Sequence, residues 1–396
     1  YFNCIVPLMK KIISILGSTG SIGLNSFKII DKKRKYFDIN LLSANKNYKL
    51  ICMQILKYKP NFFVVTDQSI FEKIKKKFKK TKIKILNNFE LVSLKKQNDL
   101  TITAIPGIIG LKPTIQMIKY SKKVLIANKE SIICGWNLIK INAQKNKTKI
   151  IPVDSEHFSI LKLLESHKLN EINKVYITAS GGPFLKFKSH EFKKIKPKDA
   201  LKHPKWKMGK KISIDSSTLM NKILELIEAQ KLFDIPNEKL DILIHPNSLV
   251  HAIVELKNGL VKLIYHQTTM IIPLANAIFD GDLNIKDFYN INKQKSNSIL
   301  ENLSFQNVNK KTFPIINIKK RVNEYPSTSI IINAANEILV DQFLRKKIPF
   351  LSISKTIMDI LNDRNYKKYA IRRPKNINDI DKIDNWTRKA ILKKIN

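Results

Sequence analysis

Lys11-Ile12-Ile13-Ser14-Ile15-Leu16-Gly17-Ser18-Thr19-Gly20-Ser21-Ile22-Gly23 opens the organised part of the chain. The first six residues are an apolar run with the β-branched bias of a buried strand. They lead into three glycines at intervals of three, and a helix is expected from there through Asp31. Strand, glycine-rich turn, helix is the context a dinucleotide fingerprint requires. The spacing is G-x-x-G-x-x-G and not G-x-G-x-x-G, yet each glycine has a task. One allows the tight turn, one lets the backbone approach a pyrophosphate, and one lets helix pack closely on strand. The pyrophosphate would rest on the helix N-terminus, where N–H groups and the helix dipole favour an anion.

Working outward, Phe37 to Leu42 reads as the next strand and ends in Ser43-Ala44-Asn45-Lys46-Asn47. A fold that prefers NAD would place Asp or Glu there for the ribose 2′-hydroxyl. Lys46 between two asparagines suits the 2′-phosphate of NADP instead. Further strands are expected at Phe62–Val65, Lys82–Leu86, Leu100–Ala104 and Val124–Ala127, with a helix near Pro113–Lys119. Strands alternating with helices argue a parallel, doubly wound sheet and an α/β class.

Lys149 to Val153 is another apolar run, and it ends in Asp154-Ser155-Glu156-His157 before an apolar helical pattern from Phe158. The carboxyl end of a strand is where α/β proteins bind ligands. Asp154 can cap the helix, or Asp154 and Glu156 can hold a hard cation through oxygen. Lys174–Thr178 then runs into Ser180-Gly181-Gly182-Pro183-Phe184, either a plain turn or amides and a hydroxyl set to face an anion. His203-Pro204-Lys205-Trp206-Lys207-Met208-Gly209-Lys210-Lys211 has neither period; it reads as a pinned loop or a flap over a ligand. A strong helix is expected from Asp215-Ser216-Ser217-Thr218 through Phe233, capped by Asp215 or Ser217, with Leu219, Ile223, Leu226 and Ile227 inward. Asn221 and Glu225 share a face of it. Lys222 and Glu225 are a surface pair in one reading. In the other, Glu225 is a third metal carboxylate while Ser216, Asn221 and Lys222 grip a phosphate.

Asp241–Ile244, Ala252–Leu256 and Val261–Tyr265 look like strands finishing an antiparallel part of the sheet, with His245 and His251 flanking the turn between the first two. Past about residue 300 the pattern turns helical, including Ser327 to Leu344. A small C-terminal helical domain bracing the rest is expected.

At 396 residues the chain is too long for one ordinary core. Lys+Arg outnumber Asp+Glu by 72 to 32, a formal charge of +40. The excess is mostly scattered lysine alongside abundant Ile and Asn, which points to AT-rich codons more than to nucleic-acid binding. The dense run at Lys73–Lys84 reads as the solvated face of a helix with Phe71, Ile74 and Phe78 inward. Cys4, Cys52 and Cys134 form no paired motif, so neither a disulfide framework nor a zinc site follows and a reducing compartment is expected. No apolar run is long enough to span a membrane. Tyr1–Leu8, ahead of Met9, lacks the features of a signal peptide and reads as an extension without functional weight.

In combination these motifs resemble the 1-deoxy-D-xylulose 5-phosphate reductoisomerases of the non-mevalonate isoprenoid pathway. The carriers are Gly17–Gly23 (GSTGSIG), Ala127–Ser131 (ANKES), Pro152–His157 (PVDSEH), Ser180–Phe184 (SGGPF), His203–Gly209, Asp215–Glu225 (DSSTLMNKILE), His245–His251 and Asn333–Glu337 (NAANE). The resemblance runs from Met9 over essentially the whole chain. It implies a Rossmann-like NADPH-binding domain over residues 9–150, a central α/β catalytic domain that binds metal and substrate over 151–298, and a C-terminal helical domain over 299–396. It also implies a cytoplasmic homodimer without nucleic-acid or membrane partners. The reaction implied is rearrangement of a ketose phosphate to a branched aldehyde, then reduction by NADPH to 2-C-methyl-D-erythritol 4-phosphate.

The same resemblance suggests the residues. Asp154, Glu156 and Glu225 would hold Mg²⁺ or Mn²⁺, or else Co²⁺. Lys129 and Glu156 would be catalytic. Ser180, Ser216, Asn221 and Lys222 would hold the substrate phosphate, and Ser155, Glu156, Glu225 and Lys129 would contact the rest of the substrate. His203 would lie on a flap with Trp206 and Met208 covering the site, and His251 would support it from behind. His157 reads as structural support. Thr19, Gly20, Ser21, Ile22, Asn45, Lys46, Asn47, Asn128, Glu130 and Gly209 would line NADPH. Asn45 stands where the family has Gly, which Asn replaces best where φ is positive. Pro106 makes the turn Ile105–Gly110 bulkier and removes an N–H. Near Thr268-Thr269-Met270-Ile271 the family's Asp-Met-Arg reads Thr-Met-Ile, so an ion pair or dimer contact is expected to be lost. Activity with reduced stability is the expectation.

Overall fold

The computed structural model describes residues 10–95, 97–188, 190–203, 206, 209–289 and 303–395. Tyr1–Leu8, Met208 and parts of the loop around it lie outside the described residues. Two compact units divide the chain: one is built from residues 1–128, 139–154 and 270–294, the other from 129–138, 155–269 and 295–396.

The first unit holds β1 (Lys11–Leu16), β2 (Phe37–Ala44), β3 (Phe62–Val65), β4 (Lys84–Leu86), β5 (Asn98–Thr103), β6 (Ser121–Ile126) and β7 (Lys149–Pro152). They form one sheet in the order β4-β3-β2-β1-β5-β6-β7, parallel at each pairing. The connecting helices are α1 (Ser21–Lys32), α2 (Tyr48–Tyr58), α3 (Gln68–Lys77), α4 (Leu111–Ile118) and α5 (Lys129–Lys145), of which residues 129–138 belong to the second unit. The strand order reverses between β1 and β5, the switch point where such sheets leave a crevice. Ile13, Ile15 and Leu16 are fully buried, as a central parallel strand requires. In α3, Phe71 and Ile74 are buried, as is its capping Phe78, with lysines on the outer side.

The second unit holds α6 (Ser155–Leu164), β8 (Ile172–Ala179), α7 (Pro197–Ala200), α8 (Lys210–Thr218), α9 (Met220–Phe233), β9 (Leu240–Ile244), β10 (Val250–Leu256) and β11 (Val261–Tyr265). The strands expected to finish the first sheet instead build a second one, in the order β11-β10-β8-β9-β12, where β12 is Gln306–Asn307. Here β8 and β9 run parallel, while β10 and β11 are antiparallel. Connections through α7, α8 and α9 carry the chain from β8 back alongside it, which a parallel neighbour needs. After α10 (Ile271–Phe279), which belongs to the first unit and packs on α1, the chain closes with α11 (Thr328–Leu344), α12 (Phe350–Leu361), α13 (Tyr366–Ala370) and α14 (Ile377–Ile395).

One expected helix is two. Leu219 takes φ 66°, ψ 7° and separates α8 from α9. Asp215 and Ser217 therefore lie inside α8 and cap nothing. The Asp215 carboxylate is engaged by Lys211 and Asn336, and the Ser217 hydroxyl donates to Ile214 O at 2.7 Å. Nor does α9 carry a single inward stripe: every residue from Met220 to Ala229 is buried.

Candidate active site

Three carboxylates converge where α6 begins. The helix starts at Ser155, three residues earlier than the apolar pattern suggests, so Glu156 sits in its first turn, where the dipole favours negative charge. Asp154 directly precedes it. Asp154, Glu156 and Glu225 each offer an oxygen, all within 4.8 Å of one another. The set is purely oxygen, the donor chemistry of a hard divalent cation, and so the residues fit a metal of that kind.

The surface-pair reading of Lys222 and Glu225 fails on burial: they are 7% and 1% exposed. Lys222 Nζ donates to Glu225 Oε2 at 2.6 Å and to Glu156 Oε1 at 2.5 Å. Lys129 Nζ donates to Asn221 Oδ1 at 2.9 Å and to Glu225 Oε1 at 3.2 Å, and the Asn221 amide also donates to Glu225. Lysines this buried need such partners, because an uncompensated charge costs several kcal/mol. Ser155 Oγ donates to Glu156 Oε2 at 2.7 Å. His157 is fully buried, with Nε2 2.8 Å from the Glu225 carbonyl and Nδ1 3.3 Å from Glu228 Oε2. It pins α6 to α9 just behind the carboxylates.

The Ser180 loop reaches the same helices. Gly182 has φ +64°, and a Cβ there would lie 2.8 Å from Ser216 O, so only glycine lets this loop lie against the end of α8. Ser180 Oγ accepts from Gly182 N and lies 3.1 Å from His203 Nε2. The other imidazole nitrogen, Nδ1, accepts from Trp206 N at 2.9 Å, so the ring is neutral with its proton on Nε2. Burial and then the Lys222 charge push the His203 pKa down to about 4. Trp206 meets His251 edge-on at 6.1 Å, and His251 stacks on His266 at 3.9 Å. An open cavity of about 1060 Å³ extends from Ser180 and Gly182 past Lys186, Lys194 and Lys202.

In the first unit, Gly17 has φ +79°, and a Cβ there would meet Ala104 O at 2.5 Å. The turn is thus pressed against the end of β5 at the switch point. Gly20 caps α1 without any side-chain bond, and no acidic residue occupies the first turn; the helix amides beside Thr19, Ser21 and Ile22 are open to an anion. The Lys46 side chain is 78% exposed, 3.9 Å from Asp67. Asn47 caps α2 by accepting from Leu50 N at 3.2 Å. Asn45 keeps negative φ and donates to Thr66 Oγ1 at 2.8 Å, so the expected need for a positive φ does not arise. Around Pro106, Asn128 Nδ2 donates to the carbonyls of Ile105 and Gly107, holding the turn from outside.

Glu130 is buried, and its Oε1 accepts from Lys211 Nζ at 2.7 Å. Burial would raise its pKa, but Lys211 overrides that and holds it below the usual carboxylate range. Gly209 caps α8, accepting from Ser213 N at 3.0 Å. The sequence reading makes Asp215 a candidate helix cap and Lys211 the end of the loop, and misses their pairing with each other and with Glu130. Their i, i+4 spacing was the available signal.

Comparison with known proteins agrees along the whole chain. Family models match in succession: 1-deoxy-D-xylulose 5-phosphate reductoisomerase over residues 13–135, its C-terminal domain over 150–233, and DXP reductoisomerase C-terminal domain over 267–390. The 1-deoxy-D-xylulose 5-phosphate reductoisomerase of Pelagibacter ubique is 46% identical over 96% of this chain and 97% of its own. That of Chloroherpeton thalassium is 36% identical over 98% of each. A crystal structure of DOX-P reductoisomerase in complex with NADPH, fosmidomycin and magnesium superposes with a TM-score of 0.88 at 29% identity, covering 97% of this chain and 98% of that one. The Zymomonas mobilis enzyme in complex with NADPH gives 0.84 at 30% identity, covering 98% and 99%. The layout is an α/β N-terminal domain, a central domain and a C-terminal helical domain, and by identity and coverage together the chain belongs to the 1-deoxy-D-xylulose 5-phosphate reductoisomerase family.

Proposed function

We propose that this chain converts 1-deoxy-D-xylulose 5-phosphate to 2-C-methyl-D-erythritol 4-phosphate, using NADPH and a divalent metal. The observation that carries the reading is the Asp154, Glu156 and Glu225 oxygen set, interleaved with the buried ammonium groups of Lys129 and Lys222. A divalent cation held by those carboxylates supplies Lewis acidity toward substrate oxygens that gain negative charge. NADPH supplies hydride to the rearranged aldehyde.

The chain's own residues do the rest. Lys129, held by Asn221 and Glu225, donates hydrogen bonds toward substrate oxygens. Glu156, already bridged to Ser155 and Lys222, moves protons between substrate hydroxyls. Ser180, Ser216, Asn221 and Lys222 hold the phosphate, and this binding energy orients the reacting carbons. His203 donates from Nε2 to that group, and the loop carrying it and Trp206 excludes water. Gly209 follows that loop, and Thr19, Gly20, Ser21, Ile22, Asn45, Lys46, Asn47, Asn128 and Glu130 line NADPH. The domain limits proposed are 9–150, 151–298 and 299–396. Mn²⁺ or Co²⁺ would serve in place of Mg²⁺. A cytoplasmic homodimer is proposed from the family resemblance, and light scattering tests the dimer. Among the described residues no helix is long and apolar enough to cross a membrane.

The deciding experiment follows NADPH oxidation with deoxyxylulose phosphate, with and without divalent metal. Turnover should vanish in EDTA and return with Mg²⁺. Full turnover in metal-free buffer would overturn the reading.

A further inference from the structure

The motif Asn333–Glu337 on α11 is tied to the reaction centre through a buried chain of polar contacts. Asn336 is fully buried, and its Nδ2 donates to Asp215 Oδ1 at 2.8 Å. Asp215, 1% exposed, pairs through Oδ2 with Lys211 Nζ at 3.0 Å. Lys211 Nζ in turn donates to Glu130 Oε1 at 2.7 Å. Glu130 is joined by one peptide bond to Lys129, whose ammonium is aimed at Asn221 and Glu225. A second tie runs directly between the same two helices: Ser329 Oγ on α11 donates to Ile133 O on α5 at 3.1 Å, two residues before α5 leaves helical angles at Gly135.

We propose that Lys211 and Asn336 are positioning residues, forming with Asp215 and Glu130 a relay through which the C-terminal helix α11 sets the orientation of the first turn of α5 and hence of Lys129. Two buried carboxylates on different helices share one ammonium here, so neither can move without leaving a charge uncompensated. Asn336 stabilises the shared state by donating to the carboxylate oxygen that faces away from Lys211. An amide in that place supplies a donor without adding a third charge. Burial of Glu130 opposes its charge, but Lys211 outweighs that burial, holds the carboxylate ionised and thereby keeps the pair intact. Members of such a network act as a unit, and their effects do not add.

Hydrogen exchange on the full-length protein tests the relay without reference to catalysis. In Asn336→Leu, amides of residues 129–134 and of α8 should exchange at least about tenfold faster, with α12 and α14 unchanged. Lys211→Met should reproduce the pattern and Lys211→Arg should restore wild-type rates. Wild-type exchange in residues 129–134 of Asn336→Leu overturns the relay, and so does an equal rise in α12 and α14, which would be general loosening. If Asn336→Leu does not fold, Asn336→Ala, which also lacks the donor, is read in the same way.

The catalytic arm rests on the function proposed above. Asn336→Leu should lower kcat about ten- to a hundredfold while the substrate KM moves less than about threefold. Adding it to Glu130→Gln should cost little beyond the larger single effect; full additivity would overturn the relay. Absence of wild-type turnover would defeat the proposed function alone, leaving hydrogen exchange to decide the relay.

Discussion

Lys222 and Glu225 lie three residues apart on α9 and meet at 2.6 Å, with side chains 9% and 2% exposed. At a surface such a pair contributes a few tenths of a kcal/mol. Here the same ammonium also donates to Glu156 on α6, and the pair becomes part of the buried carboxylate cluster proposed to hold the metal.

Replacing Glu225 by Gln removes one of the carboxylates proposed to hold the metal and a partner charge of both lysines. Metal affinity and turnover should fall by about a hundredfold or more, since even outer partners of metal ligands are worth ten- to a hundredfold. NADPH affinity should stay within about twofold, because Glu225 lies in the second unit and the glycine turn in the first. Calorimetry with Mg²⁺ and fluorescence titration with NADPH check this. Equal loss of both affinities would show that the two functions are not separable.

Lys46 is exposed at the end of β2, where a 2′-phosphate would lie. Lys46→Glu should weaken NADPH about ten- to a hundredfold and leave NADH within about twofold, as an exposed charge pair lost and then reversed is worth roughly 1–3 kcal/mol. The ratio of the two dissociation constants reads it directly, and an unchanged ratio rules the loop out as reader of the phosphate.

His203 should stay neutral down to about pH 4 in the ligand-free protein. Between its ordinary pKa near 6.5 and that value, the unfolded chain takes up a proton that the folded chain refuses. Its contribution to stability is therefore complete above pH 6.5 and is lost as pH falls toward 4. NMR titration of the His203 ring tests this. A midpoint between 6 and 7 would contradict the buried, Lys222-facing environment.

Gly17→Ala should destabilise the protein by about 1–3 kcal/mol, since a Cβ would be forced into positive φ. It would also collide with Ala104 O at 2.5 Å. NADPH binding should drop with it. Thermal unfolding with and without cofactor checks both parts, and a wild-type midpoint would mean that the turn relaxes freely.

Much of the first unit was legible because its signals are local. Apolar runs of β-branched residues mark strands, and the glycine spacing marks a turn whose backbone carries no side chain. The strand at Phe62–Val65 needs no tertiary information. The break at Leu219 was not legible, because a leucine in the left-handed region contradicts its own preference and is imposed by the packing of α8 and α9. The second sheet was misassigned for a related reason: alternation identifies β9 and β10, while the choice of neighbours depends on where the intervening helices return the chain.

Residue types and spacing, then, were enough to mark the glycine turn and Lys46 loop proposed for the nucleotide, the carboxylates at Asp154 and Glu156, and a resemblance to the family that comparison shows. Tertiary structure decided which distant groups share a charge: Lys222 with Glu156, Lys129 with Glu225, and Lys211 with both Glu130 and Asp215. The physical reason is burial. A lysine and a glutamate three residues apart look the same in sequence whether they face water or a sealed helix interface, yet only in the second case must each charge find its partner.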